Sequence, residues 1–303
     1  MSVVVGRFAP SPTGRLHAGN IFAALTAWLV AKSQGGEVVL RIEDLDPDRS
    51  KSTYITALQH DFEYLGLTWD RGPFFQSTRR ETYREAYNDL VHRGLVYPCF
   101  CTRADLHAAQ APHFGEKPIY PLTCRFLTPE ERRNKEYTQK SAMRLMVPSS
   151  TYRFFDGLQG EYQQHLETEC GDFIIRRSDG AFAYQLAVVI DDAEQGINSV
   201  VRGVDLLCST PQQLYLQDLF GFKHPHYDHI PLLVNKDAHR LSKRDHAASI
   251  DELQAQFKTP EAIIGQIAGR TGLASTCDPC SPFDLLSCFS MDGLRRRQQI
   301  IWE

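Results

Sequence analysis

The sequence predicts an α/β protein built on a parallel, Rossmann-like sheet, and three observations in its first fifty residues carry that prediction. A β-branched run at residues 3–5 reads as a buried strand. A loop of proline, serine and glycine follows (Pro10, Ser11, Pro12, Gly14), and His17-Ala-Gly-Asn20 opens a helix. On that helix Ile21, Leu25, Trp28 and Leu29 recur at i, i+4, i+7 and i+8, one stripe of an amphipathic surface. A glycine stop at Gly35-Gly36 releases the chain into a second strand over residues 37–44. Strand, helix and strand with short connections give a right-handed crossover between parallel neighbours.

The remaining elements follow in order. Residues 53–65 form a helix closed by Gly66, and Ser77 is the expected N-cap of another running to about Arg93, with Gly94 as its stop. Residues 97–150 break this rhythm: they are loop-rich, hold Cys99, Cys101 and Cys124, and read as an insertion. Strands are expected at 143–147 and 152–155, and a hairpin around Ser178-Asp-Gly180. An apolar segment at 184–190, a strand around 200–202, a helix begun by Ser209-Thr-Pro211 and a strand at 230–234 precede Leu241-Ser-Lys-Arg244. The expected division is 1–96, first half of the sheet domain; 97–150, insertion; 151–250, second half; and 251–303, a short helical extension.

Composition narrows the function classes. The 303 residues are 42% hydrophobic and 23% charged, which suits a globular protein, and no run reaches the ~18 apolar residues of a membrane span. The N-terminus lacks the basic, apolar pattern of a secretory signal, so a cytoplasmic protein with no membrane contact is expected. Eight cysteines in that setting point to reduced thiols or a metal. The net charge is −4, so any nucleic-acid contact must come from local patches such as Arg132-Arg133, Arg176-Arg177 and Arg295-Arg-Arg297, runs that taken alone are more often solvated surface than RNA sites.

The chemistry starts at the first loop. A strand, a glycine-bearing loop and a helix N-terminus form an anion-binding device, because unpaired backbone N–H groups and the helix dipole favour phosphate there. Taken alone, an ordinary βα unit with a histidine at its turn reads equally well.

Pro10-Ser-Pro-Thr-Gly14 before His17-Ala-Gly-Asn20, with Arg240-Leu-Ser-Lys-Arg244 far downstream, resembles the two signatures of class I aminoacyl-tRNA synthetases, His-Ile-Gly-His and Lys-Met-Ser-Lys-Ser. Arg7-Phe-Ala-Pro-Ser-Pro-Thr-Gly14 is similar to the glutamyl branch in particular, and the resemblance covers most of residues 3–250. It implies activation of L-glutamate: the amino-acid carboxylate attacks the α-phosphate of Mg²⁺-bound ATP and pyrophosphate leaves. The carboxylate is already a nucleophile, so the protein must position two anions and stabilise the transferring phosphoryl group. The resemblance assigns His17 and Asn20 as neutral donors to phosphate, Gly19 as room for adenine, and Ser242 with Lys243 as the pyrophosphate loop. It puts Arg7, Ala9 and Ser11 at the glutamate pocket, Glu43 on the α-ammonium, and Tyr184 and Arg202 on the far side. An arginine fork holds a carboxylate bidentately and a neutral carboxamide far less well, so Arg202 favours glutamate over glutamine. Singly, Glu43 also suits a surface salt bridge and Arg202 a partner of Asp191 or Asp192. Asn20 for the second histidine and Arg240 for the first lysine depart from the signatures, although amide and guanidinium still donate.

Cys99-Phe-Cys101 and Cys124 leave one vacancy in a tetrahedral zinc site, for which His107, His113 and Tyr120 are candidates. Members of the glutamyl branch use Cys-x-Cys…Tyr-x3-Cys, which implies Cys99, Cys101, Tyr120 and Cys124 around one structural Zn²⁺. Cys277, Cys280 and Cys288 suit either a second site or free thiols. The stretch after Arg244 is too short for the helical anticodon-binding domain of full-length members. The resemblance thus implies a shortened, monomeric member that activates glutamate without RNA and transfers it to queuosine, the wobble base in the anticodon stem-loop of tRNA-Asp. The alternatives are charging of the 3′ end of tRNA-Glu, a non-catalytic tRNA-binding relative, and a nucleotidylyltransferase.

Overall fold

Strand β1 (Val5–Phe8) runs parallel to β2 (Glu37–Ile42), with Val5 opposite Glu37 and Phe8 opposite Leu40, and β2 runs parallel to β3 (Arg71–Phe75). These coordinates are a computed structural model that describes residues 3–102, 105, 119–239, 241 and 248–302. The strand starts two residues later than the β-branched run suggests, and Val3 is exposed.

Between β1 and β2 lies α1 (Ala18–Lys32), the crossover the sequence predicts. It is not amphipathic: Phe22, Ala24, Thr26, Ala27, Val30 and Ala31 are buried along with Ile21, Leu25, Trp28 and Leu29. The sheet covers one side and the C-terminal part of the chain covers the other. There α7 (Ile250–Phe257) packs beside α8 (Pro260–Thr271), and Ile263, Ile264, Ile267 and Ala268 share the core with α1. A helix covered on both sides needs no polar face. Each fully buried Leu or Ile contributes about 1.5–3 kcal/mol to holding this stack together.

The second half of the parallel region is β9 (Ser199–Gly203) beside β10 (His226–Ile230). Asn198 joins the halves: its side-chain oxygen accepts from Val5 N–H (2.8 Å), its backbone N–H donates to Val5 O (3.1 Å), and its amide donates to Val3 O (2.8 Å). The carboxyl ends of β1 and β9 therefore lie side by side where the strand order reverses, the usual place for a ligand crevice in such a sheet.

Three local expectations are corrected, and one stretch left unassigned, 184–190, gains its structure. Ser77 does not cap a helix; residues Gln76–Thr78 form a 3₁₀ turn before α3 (Arg80–His92), and Ser77 donates through its N–H and hydroxyl to Asp44 (2.8 and 2.6 Å). The apolar run at 184–190 is a helix, Tyr184–Glu194, whose period its two aspartates obscure. The expected strand at 230–234 is cut by Pro231, which has no N–H for a ladder, into β10 and β11 (Leu232–Val234) in separate sheets. The 251–303 segment is not only helical: β12 (Gln299–Ile301) pairs parallel with β11.

The interruption after α3 contains an antiparallel sheet of β4 (Val96–Cys99), β5 (Ala142–Leu145) and β8 (Phe173–Arg176), and a hairpin of β6 (Thr151–Asp156) and β7 (Gly160–His165). Beyond β8 the chain turns at Gly180 and makes a single bridge, Arg176 to Phe182, rather than a full hairpin. Among the described residues no helix is long and apolar enough to cross a membrane.

Candidate active site

A cleft of about 550 Å³ opens at the junction of β1 and β9. Arg7, Ala9 and Ser11 reach it from the end of β1 and the loop beyond, and His17, Gly19 and Asn20 from the start of α1. Glu43 comes from the end of β2, Tyr184 from the start of helix Tyr184–Glu194, and Arg202 from β9. A backbone bond and a side-chain clamp explain the convergence: Glu43 N–H donates to Pro10 O (3.0 Å), and the Arg15 guanidinium ties the loop's far end to Asp61 (2.9 Å) and Asp251 (3.0 Å).

At the start of α1, His17 N–H donates to the Asn20 side-chain oxygen (3.2 Å), which leaves the Asn20 amide NH₂ as its free donor end. A Cβ on Gly19 would stand 3.1 Å from the His17 ring, so glycine lets that imidazole lie against the helix start. Leu241 lines the cleft, Ser249 bridges to His17, and Ile250 N–H donates to Leu16 O (2.9 Å). Arg240, Ser242, Lys243 and Arg244 lie outside the described residues.

Two buried cation networks back the cleft. Arg41, fully buried, donates to Asp192 (2.6 Å), to Gln195 (3.0 Å) and to Glu43 (3.3 Å), and Arg7 adds a bond to Asp192 (3.3 Å). Burial pushes the Asp192 carboxyl up, but Arg41 and Arg7 outweigh it and hold the group below its ordinary range. For Glu43 burial wins: its carboxyl is raised despite Arg41 and Arg7. Neither simple alternative survives. Glu43 is tied to a buried arginine, not to a surface partner, and Asp191 is occupied by Gln76 (2.7 Å), Arg79 (2.7 Å) and Tyr83 (2.8 Å).

Arg202 instead donates from Nε to His229 Nε2 (3.0 Å), from one terminal nitrogen to Gln213 (2.8 Å) and from the other to Thr210 (2.8 Å). His229 Nδ1 lies 2.5 Å from Asp156, and both side chains are fully buried. Arginine only donates, so His229 Nε2 must accept and the proton sits on Nδ1. Burial lowers the His229 pKa, and Arg202 adds to that against the pull of Asp156. Arg202 lines the cleft, and each of its terminal nitrogens has one further N–H beyond these bonds. Sequence reading missed Arg41, Gln213, His229 and Asp156, and weighed Asp192 only as a partner of Arg202 rather than of Arg41 and Arg7. Only Arg41 left a signal, because Arg41 and Glu43 alternate onto one side of β2.

In the insertion the sulfurs of Cys99, Cys101 and Cys124 lie within 4.8 Å of one another, a cluster that can hold a metal ion. The Tyr120 hydroxyl is 3.5 Å from Cys99 Sγ and accepts from Cys124 N–H (2.8 Å), and Arg144 lies over its ring at 3.7 Å. The Cys101–Cys124 sulfur separation of 3.6 Å and the Cys99–Tyr120 separation of 3.5 Å are close to the ~3.8 Å edge of a tetrahedron around a metal bound at about 2.3 Å. No other cysteine-rich cluster forms among the described residues, so Cys277, Cys280 and Cys288 do not gather into a second site. His107 and His113 lie outside the described residues.

Residues 3–298 match the family described as tRNA synthetases class I (E and Q), catalytic domain. The chain is 44% identical to the glutamyl-Q tRNA(Asp) synthetase of Nitratidesulfovibrio vulgaris and 42% identical to that of Symbiobacterium thermophilum, covering 97% of this chain and 94% of each relative. Among solved structures, a glutamate tRNA ligase from Elizabethkingia meningosepticum in complex with its amino acid superposes with a TM-score of 0.82 at 25% identity, over 100% of this chain and 67% of that one. The glutamate-tRNA synthetase of Elizabethkingia anophelis gives 0.83 at 25% identity, over 100% and 68%. With almost its whole length matched and its cleft at the sheet junction, the chain belongs to the class I tRNA synthetases of the E and Q group, through their catalytic domain.

Proposed function

We propose that this chain activates L-glutamate with ATP, without RNA, and passes the glutamyl group to the queuosine base at the wobble position of tRNA-Asp. The observation that carries the reading is the near full-length likeness to proteins named for that acceptor. The cleft is consistent with the amino acid. In this reading the two remaining N–H groups of Arg202 grip the glutamate side-chain carboxylate, and Glu43 accepts from the α-ammonium. The α-carboxylate oxygen then bonds to the α-phosphorus as the bond to pyrophosphate breaks. His17 and the Asn20 amide donate to the phosphates, with Gly19 under the adenine; Ser242 and Lys243 meet the departing pyrophosphate. In the second step a hydroxyl of the base attacks the acyl carbon and AMP leaves. Labelled glutamate tests this directly: label is expected on tRNA-Asp that carries queuosine, and label on tRNA-Asp that lacks it would overturn the reading.

His229 acts in this account by aiming Arg202. Losing one hydrogen bond to a charged group costs about 1.5–3 kcal/mol, so His229→Ala should raise the glutamate KM about 10–100-fold and leave kcat near wild type. His229→Gln, whose amide oxygen can accept from Arg202, should recover part of that loss. Equal loss in both variants would make His229 a packing residue only.

We further infer that the metal is Zn²⁺, held by the thiolates of Cys99, Cys101 and Cys124 and by Tyr120. In this reading it ties the end of β4 to the segment around Cys124, inside the interruption that follows α3. Cys101→Ser should drop bound zinc from about one per chain towards zero and lower the melting temperature, while glutamate-dependent ATP–pyrophosphate exchange persists. Unchanged metal content in that variant would remove the site.

A further inference from the structure

A second pocket, of about 510 Å³, lies beside the glutamate cleft and takes no part in the steps above. The two are neighbours along two chain segments. Glu43 faces the cleft and Leu45 the pocket; Tyr184 faces the cleft and Phe182 the pocket. Two residues of chain span at most about 7 Å, so the two linings adjoin along these segments. Asp44, bonded to Ser77, pins the shared segment to the turn before α3.

Four guanidinium groups line the pocket. Arg80 and Arg84 stand one turn apart on α3, Arg176 ends β8 and Arg177 follows it. They are not equivalent. Arg177 is neutralised by Asp46 (3.2 Å) and Asp179 (2.5 Å), whereas Arg84 pairs, among the described residues, with Glu81 outside the pocket (2.5 Å). Arg80 forms no ion pair among the described residues, and Arg176 lies over the Tyr87 ring at 5.4 Å while bonding Gly180 O (3.4 Å). Phe182 packs 6.1 Å from Tyr87, centroid to centroid, so the wall pairs ring faces with guanidinium planes. Open guanidinium forks beside aromatic faces suit a single-stranded nucleotide: the base stacks and the phosphate takes paired N–H donors. Asp46, Asp48 and Asp179 at the margin disfavour a free phosphate but can accept from base amines or ribose hydroxyls.

We propose that this pocket holds a nucleotide next in the strand to the one that receives glutamate, its base against Phe182 and Arg176 and its phosphate between Arg80 and Arg84. The inference rests on the reading that an RNA nucleotide is the acceptor. It gives the chain a way to hold a loop of RNA although its net charge is −4, because the contact is local and stacked.

The test compares wild type with Arg80→Glu/Arg84→Glu, two exposed positions whose exchange is not expected to disturb folding. Glutamate transfer to queuosine-containing tRNA-Asp is measured across a salt series, with RNA-free ATP–pyrophosphate exchange as the control for folding and activation. The KM for RNA is expected to rise at least about 10-fold and its salt dependence to flatten by about one unit of log–log slope per lost phosphate contact. Arg80→Ala alone should show a smaller effect of the same sign. An unchanged KM and slope in the double variant, with exchange intact, overturns the pocket. If wild type labels tRNA-Glu instead, the acceptor reading fails and the same comparison on tRNA-Glu decides the pocket. If no RNA is labelled, equal Kd values of wild type and double variant for the tRNA-Asp anticodon stem-loop overturn it, and a weakened variant supports it.

Discussion

Arg202→Ala is expected to raise the KM for glutamate about 100-fold or more while leaving the KM for ATP within a few-fold. Two charge-assisted bonds to the side-chain carboxylate disappear, each worth about 1.5–3 kcal/mol, and each 1.4 kcal/mol is a factor of ten. The loss also strands three buried partners, since His229, Gln213 and Thr210 all point at the guanidinium. Arg202→Lys should not restore glutamate use, because one ammonium cannot serve those three partners and still offer a planar fork. Glutamate-dependent exchange at varied glutamate concentration reads the result. A KM shift that appears for ATP rather than for glutamate would put Arg202 at the wrong ligand.

Lys243→Ala is expected to lower kcat for exchange about 10²–10³-fold with little change in the glutamate KM. Charge builds on the pyrophosphate oxygens only as the bond to the α-phosphorus breaks, so a cation there acts on the transition state more than on bound glutamate. The surroundings are suited to this. Leu241 lines the cleft, and Ser249 and Ile250 are bonded to His17 and Leu16, so both flanks of the segment are anchored near the start of α1. Single-turnover formation of glutamyl-adenylate separates the two effects: a normal rate with an elevated glutamate KM would contradict the assigned role.

Much of the site was legible because its parts sit at punctuated places in the sequence. Prolines and glycines mark the loop after β1, and the turn into α1 starts on His17, so the chain's path there is set by local chemistry. Glu43 and Arg202 sit at strand ends, where a parallel sheet collects its ligands. The supporting shell was not legible, since it depends on pairings across more than seventy residues, such as Asp156 with His229 and Arg41 with Asp192. Nothing local distinguishes such a histidine from one on the surface. Helix Tyr184–Glu194 was hidden for a related reason: its Asp191 and Asp192 are buried, so the polar and apolar pattern does not mark its inner face. The burial of α1 on every side depends on chain more than two hundred residues later in sequence, at Ile263 and Ile264, and no window on α1 alone contains it.

The most direct test of the acceptor is transfer of labelled glutamate to purified tRNA-Asp with and without queuosine, and to tRNA-Glu, followed by mapping of the labelled nucleotide. The account predicts label only on queuosine-containing tRNA-Asp, confined to the wobble base. Label on the 3′-terminal ribose of tRNA-Glu, or on tRNA-Asp lacking queuosine, would contradict it.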